Sequence, residues 1–170
     1  MPRVFIAAAT LLFVFAAALA VQAAGEGHRG HGDHSDHVSE AGGLRIIHAW
    51  SRATGEREGF VFAEIENWSD HLIEFTGAES DMAGSARLVG FQNTDGKLTY
   101  VPIPSVPIAP GKRLMLEPNG LAIQLLDLKE PLEEGSEFIA HFELGKNEIE
   151  VHVEVEDEDA TSHSHAGHNH

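Results

Sequence analysis

The fold is decided by the stretch FIAHFELGKNEIEVHVEV at residues 138–155. Its apolar residues alternate with polar ones in two runs, so the apolar side chains of each run project to one face of an extended strand. Between the runs lies Gly145-Lys146-Asn147, which is typical of a tight turn. The stretch therefore predicts a β-hairpin with one buried face and one face of glutamates and histidines.

The same period-two pattern recurs in shorter runs through the middle of the chain. Asp95-Gly96 predicts the turn of a second hairpin, and the prolines at 102, 104, 107 and 110 confine their stretch to an edge strand or a loop. Further strands are expected at 44–50, 60–66, 72–78, 86–91, 98–103, 113–117 and 121–126. About eight or nine short strands without a long helix predict an all-β fold, either a β-sandwich or a Greek-key barrel.

The two ends of the chain differ from its middle. Residues 1–23 have Arg3, an apolar run and a small-x-small end, which predicts a cleaved secretory signal peptide, with a membrane anchor as the alternative. Residues 24–43 and 156–170 have too little apolar content to order themselves, so both are predicted to be flexible, His-rich segments when metal-free. Between them, residues 44–155 have the length of one domain.

Composition restricts the function further. The 170 residues contain 27 acidic and 11 basic side chains, a net charge of −16, which disfavours nucleic acid and anionic membrane as partners and favours cations. The absence of cysteine excludes disulfides, thiolate metal sites and a lipid-modified cysteine. Only Met82 and Met115 follow the predicted signal peptide, which disfavours a methionine-rich Cu(I) site. No hydrolase or phosphate-binding motif is present, so catalysis is not expected.

Two histidine clusters at the ends of the chain are the strongest functional signal. They contain eight of the twelve histidines and stand beside acidic residues that concentrate cations. Neutral imidazole is a good ligand for Cu(II), Zn(II) and Ni(II). A solvated low-complexity segment is the alternative interpretation. The predicted metal ligands are His28, His31, His34, His37, His163, His165, His168 and His170.

The inner histidines are weaker candidates. His141 and His152 occur on the polar faces of the two hairpin strands, where a cross-strand pair would form a weaker two-nitrogen metal site. His48 and His71 fit hydrogen-bonded or solvent-facing positions equally well. The glutamates of the last strand are expected to form a solvated face.

Several short motifs in the middle of the chain occur in the order found in one family. They are AWSRAT at 49–54, IEN at 65–67, IAPG at 108–111, LEPNG at 116–120 and LKEPL at 128–132. Together they resemble the PCu(A)C family of periplasmic copper chaperones. The resemblance covers residues 44–155 and implies an exported domain with a cupredoxin-like β-sandwich.

The resemblance also implies where a family copper site would lie. The spacing of the family's histidine and methionine ligands falls on Val89, Tyr100, Ala122 and Gln124. None of these side chains offers the sulfur or imidazole donors that hold Cu(I). We therefore expect a degenerate family site, with metal binding transferred to the tails.

These observations predict a non-enzymatic periplasmic copper chaperone or copper buffer, which binds Cu(II) rather than Cu(I) through its histidine tails. Its expected partners are the metal ion and a membrane-bound acceptor such as a cytochrome oxidase assembly factor, with no stable membrane insertion of its own after signal cleavage. A zinc or nickel metallochaperone is one alternative. The other is a protein-interaction module, which an apolar surface around Val89, Phe91, Tyr100 and Ala122 would favour.

Overall fold

A computed structural model describes residues 38–163. Within that range the chain forms eleven β-strands and no helix. The strands are β1 (Val38–Ala41), β2 (Leu44–Arg52), β3 (Glu58–Asn67), β4 (Ile73–Glu79), β5 (Ser85–Thr94), β6 (Lys97–Pro102), β7 (Val106–Ile108), β8 (Lys112–Leu116), β9 (Leu121–Leu126), β10 (Glu137–Leu144) and β11 (Asn147–Glu156).

The strands follow one hydrogen-bonded path, in the order β6-β5-β9-β8-β3-β2-β11-β10-β4-β7, with β1 added beside β2. The path doubles back on itself, because β4 packs against β5 without pairing with it. Most of the buried apolar side chains form a single core between the two halves. This arrangement confirms the predicted all-β, cupredoxin-like β-sandwich.

The hairpin that the sequence predicts most clearly is β10–β11. Leu144 pairs with Asn147 across the turn and Phe138 pairs with Val153 near the open end. Phe142 and Val153 are fully buried, whereas Glu148 and Glu150 are exposed. The hairpin is joined to the rest of the sandwich by parallel pairing of β11 with β2, which sets Glu154 beside Trp50.

Two of the eleven strands were not predicted. The segment 24–43 was expected to be flexible throughout, but its last residues form β1, which pairs with β2 through a turn at Gly42 and Gly43. β7 contains Pro107 and pairs only with β4, at the end of the sheet path, where a missing N–H is tolerated. At the other end, β11 extends to Glu156, one residue beyond the predicted domain boundary.

An extra residue in β2 changes which face its side chains occupy. Ile47 pairs with Glu64 and Trp50 with Phe62, so three steps along β2 match two along β3. This is a β-bulge, and His48 within it has a left-handed backbone with φ of 49°. Before the bulge the even-numbered Ile46 faces the core, and after it the odd-numbered Ser51 does. Trp50 and Arg52 therefore lie on the outer face of the sheet.

A second, smaller apolar cluster lies on that outer face. We call it the outer cluster, and its buried members are Trp50, Phe62, Val89 and Ala122. The Trp50 and Phe62 rings are tilted against each other with centroids 4.7 Å apart. The neighbours of Val89 and Ala122 along their strands, Leu88 and Ile123, face the main core instead. The sheet half formed by β5, β9, β3 and β2 is therefore apolar on both faces.

The predicted signal peptide at 1–23, with its membrane-anchor alternative, lies outside the described residues. Over residues 38–163, no helix is long and apolar enough to span a membrane.

The left-handed backbone at His48 predicts how substitutions there change the stability of the fold. A β-branched residue is poorly tolerated in left-handed backbone, whereas asparagine adopts it readily. We expect His48→Val to have a free energy of unfolding about 1–2 kcal/mol lower than His48→Asn, measured by urea denaturation. At Arg45, which precedes the bulge in the same strand and lacks a positive φ, valine should instead be at least as stable as asparagine. Equal stability of the two His48 variants would contradict the bulge geometry.

Candidate functional site

The position that the family resemblance assigns to copper is closed by apolar packing. Val89 and Ala122 pair across β5 and β9, and both side chains are fully buried in the outer cluster. Tyr100 lies on β6 opposite Phe91. Its ring centroid is 4.9 Å from that of Phe91 and 4.6 Å from that of Phe60. A group of tilted aromatic rings thus lies where the family would hold metal ligands.

The polar groups at this position are engaged within the protein. The Tyr100 hydroxyl accepts a hydrogen bond from the backbone N–H of Asn119 at 3.0 Å. The Gln124 side chain is buried and bridges two charged residues. Its Oε1 accepts from Arg87 Nε at 2.7 Å, and its Nε2 donates to Glu58 Oε1 at 2.6 Å. These residues do not fit Cu(I), because neither sulfur nor imidazole is among them, and the polar atoms of Tyr100 and Gln124 already have partners within the protein.

The segment after β11 crosses the outer face of the sheet. Asp157 turns the chain there, with its carboxylate accepting from the Asp159 N–H at 2.8 Å and its carbonyl from the Ala160 N–H at 3.1 Å. Arg52 Nε then donates to the Ala160 carbonyl at 2.6 Å, and Ala160 packs on the outer cluster. These contacts direct the chain toward His163, the one member of the two predicted clusters that the described range contains.

His163 lies against the last two outward-facing carboxylates of β11. Its Nδ1 is 2.9 Å from Glu156 Oε1, and its Nε2 is 3.8 Å from Glu154 Oε2. The His163 side chain is 6% exposed, and those of Glu156 and Glu154 are 13% and 33% exposed. The ring of His48 stacks on that of His163, with centroids 5.1 Å apart and planes 17° from parallel. The bulge thus supplies a second imidazole beside the first.

The end of β11 therefore differs from the solvated face that was expected for its glutamates. Glu148 and Glu150 are exposed as predicted, but the returning segment covers most of Glu156 and part of Glu154. The period-two pattern placed these carboxylates on the correct face and gave no sign that another part of the chain would cover them. The sequence signal that could have indicated this contact is the short distance along the chain between these glutamates and the C-terminal histidine cluster.

The inner histidines have separate carboxylate neighbours. His141 is opposite Glu150 and His152 is opposite Ile139, so the two are diagonal neighbours and the predicted cross-strand pair is wrong in register. His141 Nδ1 lies 3.2 Å from Glu148, and His152 Nδ1 lies 2.6 Å from Glu137.

His71 has a carboxylate partner of its own. Its ring hydrogen-bonds to the exposed Asp70 at 3.0 Å, and this contact lowers the pKa of the Asp70 carboxyl. None of the other predicted cluster members falls in the described part of the chain; these are His28, His31, His34, His37, His165, His168 and His170.

The fold and this outer face define a class, the small cupredoxin-like sandwiches of the PCuAC type, and comparison with known proteins gives the family. Residues 44–155 match the model of the family described as "Putative lipoprotein LpqE-like". The chain belongs to this LpqE-like family. A curated relative, "Putative lipoprotein Lxx21020" of Leifsonia xyli subsp. xyli (strain CTCB07), is 32% identical over 97 residues. The match covers 56% of this chain and 58% of that protein, so the chain spans little more than half of its relative.

Solved structures give the same fold. The apo PCuAC domain from PmoF1 superposes with a TM-score of 0.61 at 25% identity, covering 71% of this chain and 99% of that one. The copper-bound PCuAC domain from PmoF2 has a TM-score of 0.60 at 20% identity, covering 71% and 98%. The resemblance to the PCu(A)C family that the sequence motifs indicated is confirmed.

Replacing Gln124 tests whether this residue has a structural role or binds metal. Gln124→Ala removes the two part-buried hydrogen bonds that this side chain makes to the charged groups of Arg87 and Glu58, so the free energy of unfolding should fall by about 1–3 kcal/mol. Cu(II) affinity, measured by competition with a chromophoric chelator, should stay unchanged within about threefold. A large loss of Cu(II) affinity without loss of stability would instead show that Gln124 belongs to a metal site at the family position.

Proposed function

We propose that this chain is an exported, non-enzymatic copper-binding protein that acts in the periplasm as a chaperone or buffer and binds Cu(II) mainly through its histidine tails. The observation that carries the proposal is the closed family position. Val89 and Ala122 are buried without donor atoms, and Tyr100 and Gln124 use their polar atoms elsewhere. A copper-handling sandwich with this position closed needs donors from another part of the chain.

The histidine clusters supply those donors. His28, His31, His34 and His37 at one end, and His163, His165, His168 and His170 at the other, provide imidazole in a chain of net charge −16. Imidazole and carboxylate favour divalent ions over Cu(I), and among divalent first-row ions Cu(II) binds such donors most tightly. The similarity to the copper-bound PCuAC domain from PmoF2 supports copper as the cargo.

Zinc is the second candidate. One imidazole and two carboxylates meet at His163, Glu156 and Glu154, and mixed nitrogen and oxygen donors at this spacing also suit Zn(II). The interaction-module alternative is not favoured, because Val89 and Ala122 are buried and Phe91 and Tyr100 are half-buried instead of forming an exposed apolar patch. A membrane-bound acceptor such as a cytochrome oxidase assembly factor remains the proposed recipient of the ion.

A variant that lacks most of the tail histidines tests the proposal. In this variant, which we call the tail variant, seven histidines are replaced by asparagine while His163 is retained; the seven positions are 28, 31, 34, 37, 165, 168 and 170. We expect the mature protein to bind several Cu(II) ions and the tail variant to lose most of this capacity, measured by isothermal titration calorimetry. Replacing His71 and His141 by asparagine is the matched control and should leave the capacity unchanged. Undiminished binding by the tail variant would refute the proposal.

The same proposal predicts a dependence on pH. A histidine must lose its proton to bind a metal, and the ordinary histidine pKa is about 6.5. Cu(II) affinity of the mature protein should therefore be high near pH 7.5 and fall at least about tenfold by pH 5.5, as protons displace the ion. Chelator competition at both pH values measures this, and an affinity independent of pH would exclude imidazole as the main donor.

A further inference from the structure

A group of potential metal ligands lies within residues 38–163, apart from the family position. One nitrogen of His163 and one carboxylate oxygen from each of Glu154 and Glu156 all lie within 4.8 Å of one another. Around an ion with bonds of about 2.0–2.2 Å, neighbouring ligand atoms are roughly 3–4 Å apart. Small side-chain rotations would therefore bring the three donors onto one ion.

The charge of this group favours a cation. Two carboxylates face a single imidazole, so the acidic groups outnumber the one basic group. Glu156 and His163 are almost entirely covered by protein, where a charge interacts more strongly than in water. A divalent ion would compensate the two carboxylates and accept an imidazole nitrogen at the same time.

The backbone already holds His163 in place. The Arg52–Ala160 hydrogen bond, the turn at Asp157 and the packing of Ala160 on the outer cluster fix the segment that leads to it. The stacked ring of His48 restricts how the imidazole of His163 can tilt. Because these groups are ordered by the fold, binding an ion needs little further loss of conformational entropy.

The group is also reachable from solvent. Glu154 is 33% exposed, and a cavity of about 260 Å³ adjoins the group at His163, where it is also lined by His48, Glu64 and Met115. Three protein donors leave coordination positions open, as in sites that exchange a ligand or water.

From these observations we propose that Glu154, Glu156 and His163 form a defined binding site for one divalent borderline cation, Zn(II) or Cu(II), at the point where the C-terminal tail meets the sandwich. The imidazole nitrogen argues against Mg(II) and Ca(II), and the absence of sulfur among the three donors argues against Cu(I). The site goes beyond the proposed tail binding, because it needs none of the seven tail histidines.

The tail variant isolates this site, because it retains His163 and the full length of the chain. We expect it to bind one equivalent of Zn(II) in competition with a chromophoric chelator. Adding Glu154→Gln and Glu156→Gln, which keep the size of each side chain, should lower the Zn(II) affinity more than about 100-fold, since even loss of groups that only support a metal ligand costs 10–100-fold. The matched control is Glu148→Gln with Glu150→Gln, which removes the same charge from the exposed part of the same strand and should cost less than about tenfold.

A spectroscopic measurement covers the case in which the glutamine variant folds poorly. The zinc X-ray absorption spectrum of the tail variant should show a first shell of nitrogen and oxygen, with an imidazole contribution that His163→Gln removes. Failure of the tail variant to bind Zn(II), an equal loss in the two glutamine pairs, or a spectrum without imidazole would each overturn the site. The first of these outcomes would leave the tail proposal standing, whereas full capacity in the tail variant would refute the tail proposal and leave this site in place.

Discussion

The bulge at His48 is the constraint on which the outer face of the sandwich depends. Without the extra residue, β2 would keep its even-numbered side chains in the core, and Trp50 and Arg52 would not face outward. With it, Trp50 joins the outer cluster and Arg52 holds the Ala160 carbonyl. The segment after β11 can therefore lie across this face and carry His163 to Glu154 and Glu156. A left-handed backbone at a non-glycine residue costs energy, and such strain is often retained at functional sites.

Packing on the same face stabilises the fold although the family's metal ligands are absent. In this chain the space is filled by Val89, Ala122 and the rings of Phe60, Phe91 and Tyr100, so apolar packing stabilises the region without an ion. Next to this packing, the Gln124 side chain hydrogen-bonds to both Arg87 and Glu58. The donors that remain, imidazole and carboxylate, are concentrated in the two histidine clusters and at the end of β11. The chemistry consequently changes from soft to borderline donors, which shifts the expected cargo from Cu(I) to divalent ions.

The fold was predictable from sequence wherever it depends on local alternation. Phe142, Val151 and Val153 were assigned to the core from period two alone, and the structure buries all three. β1 was missed because its four residues have no clear alternation, and β7 because Pro107 reads as a loop residue. The bulge at His48 was also invisible, since one inserted residue leaves both halves of β2 looking like ordinary strand.

The candidate site was predictable only in part. His163 was singled out by composition, but its contact with Glu154 and Glu156 depends on where the chain goes after β11, and no local pattern encodes that path. The contacts that build the site join residues that are distant in sequence or lie in separate elements. They are the packing over the two glutamates, the stacking of His48 on His163 and the hydrogen bond from Arg52 to the Ala160 carbonyl. By contrast, the register of His141 and His152 depends on the hairpin turn, and a shift of two residues was enough to replace the expected pair with two separate contacts to Glu148 and Glu137.

The central claim is that this protein binds metal through its histidine tails and the carboxylates at the end of β11 instead of the family position. Anomalous X-ray diffraction from crystals of the mature protein, grown with one equivalent of Zn(II) or Cu(II), tests it most directly because it locates the ion. We expect the anomalous peak within bonding distance of His163 and of a carboxylate oxygen of Glu154 or Glu156. A peak beside Val89, Tyr100, Ala122 and Gln124 would contradict the claim.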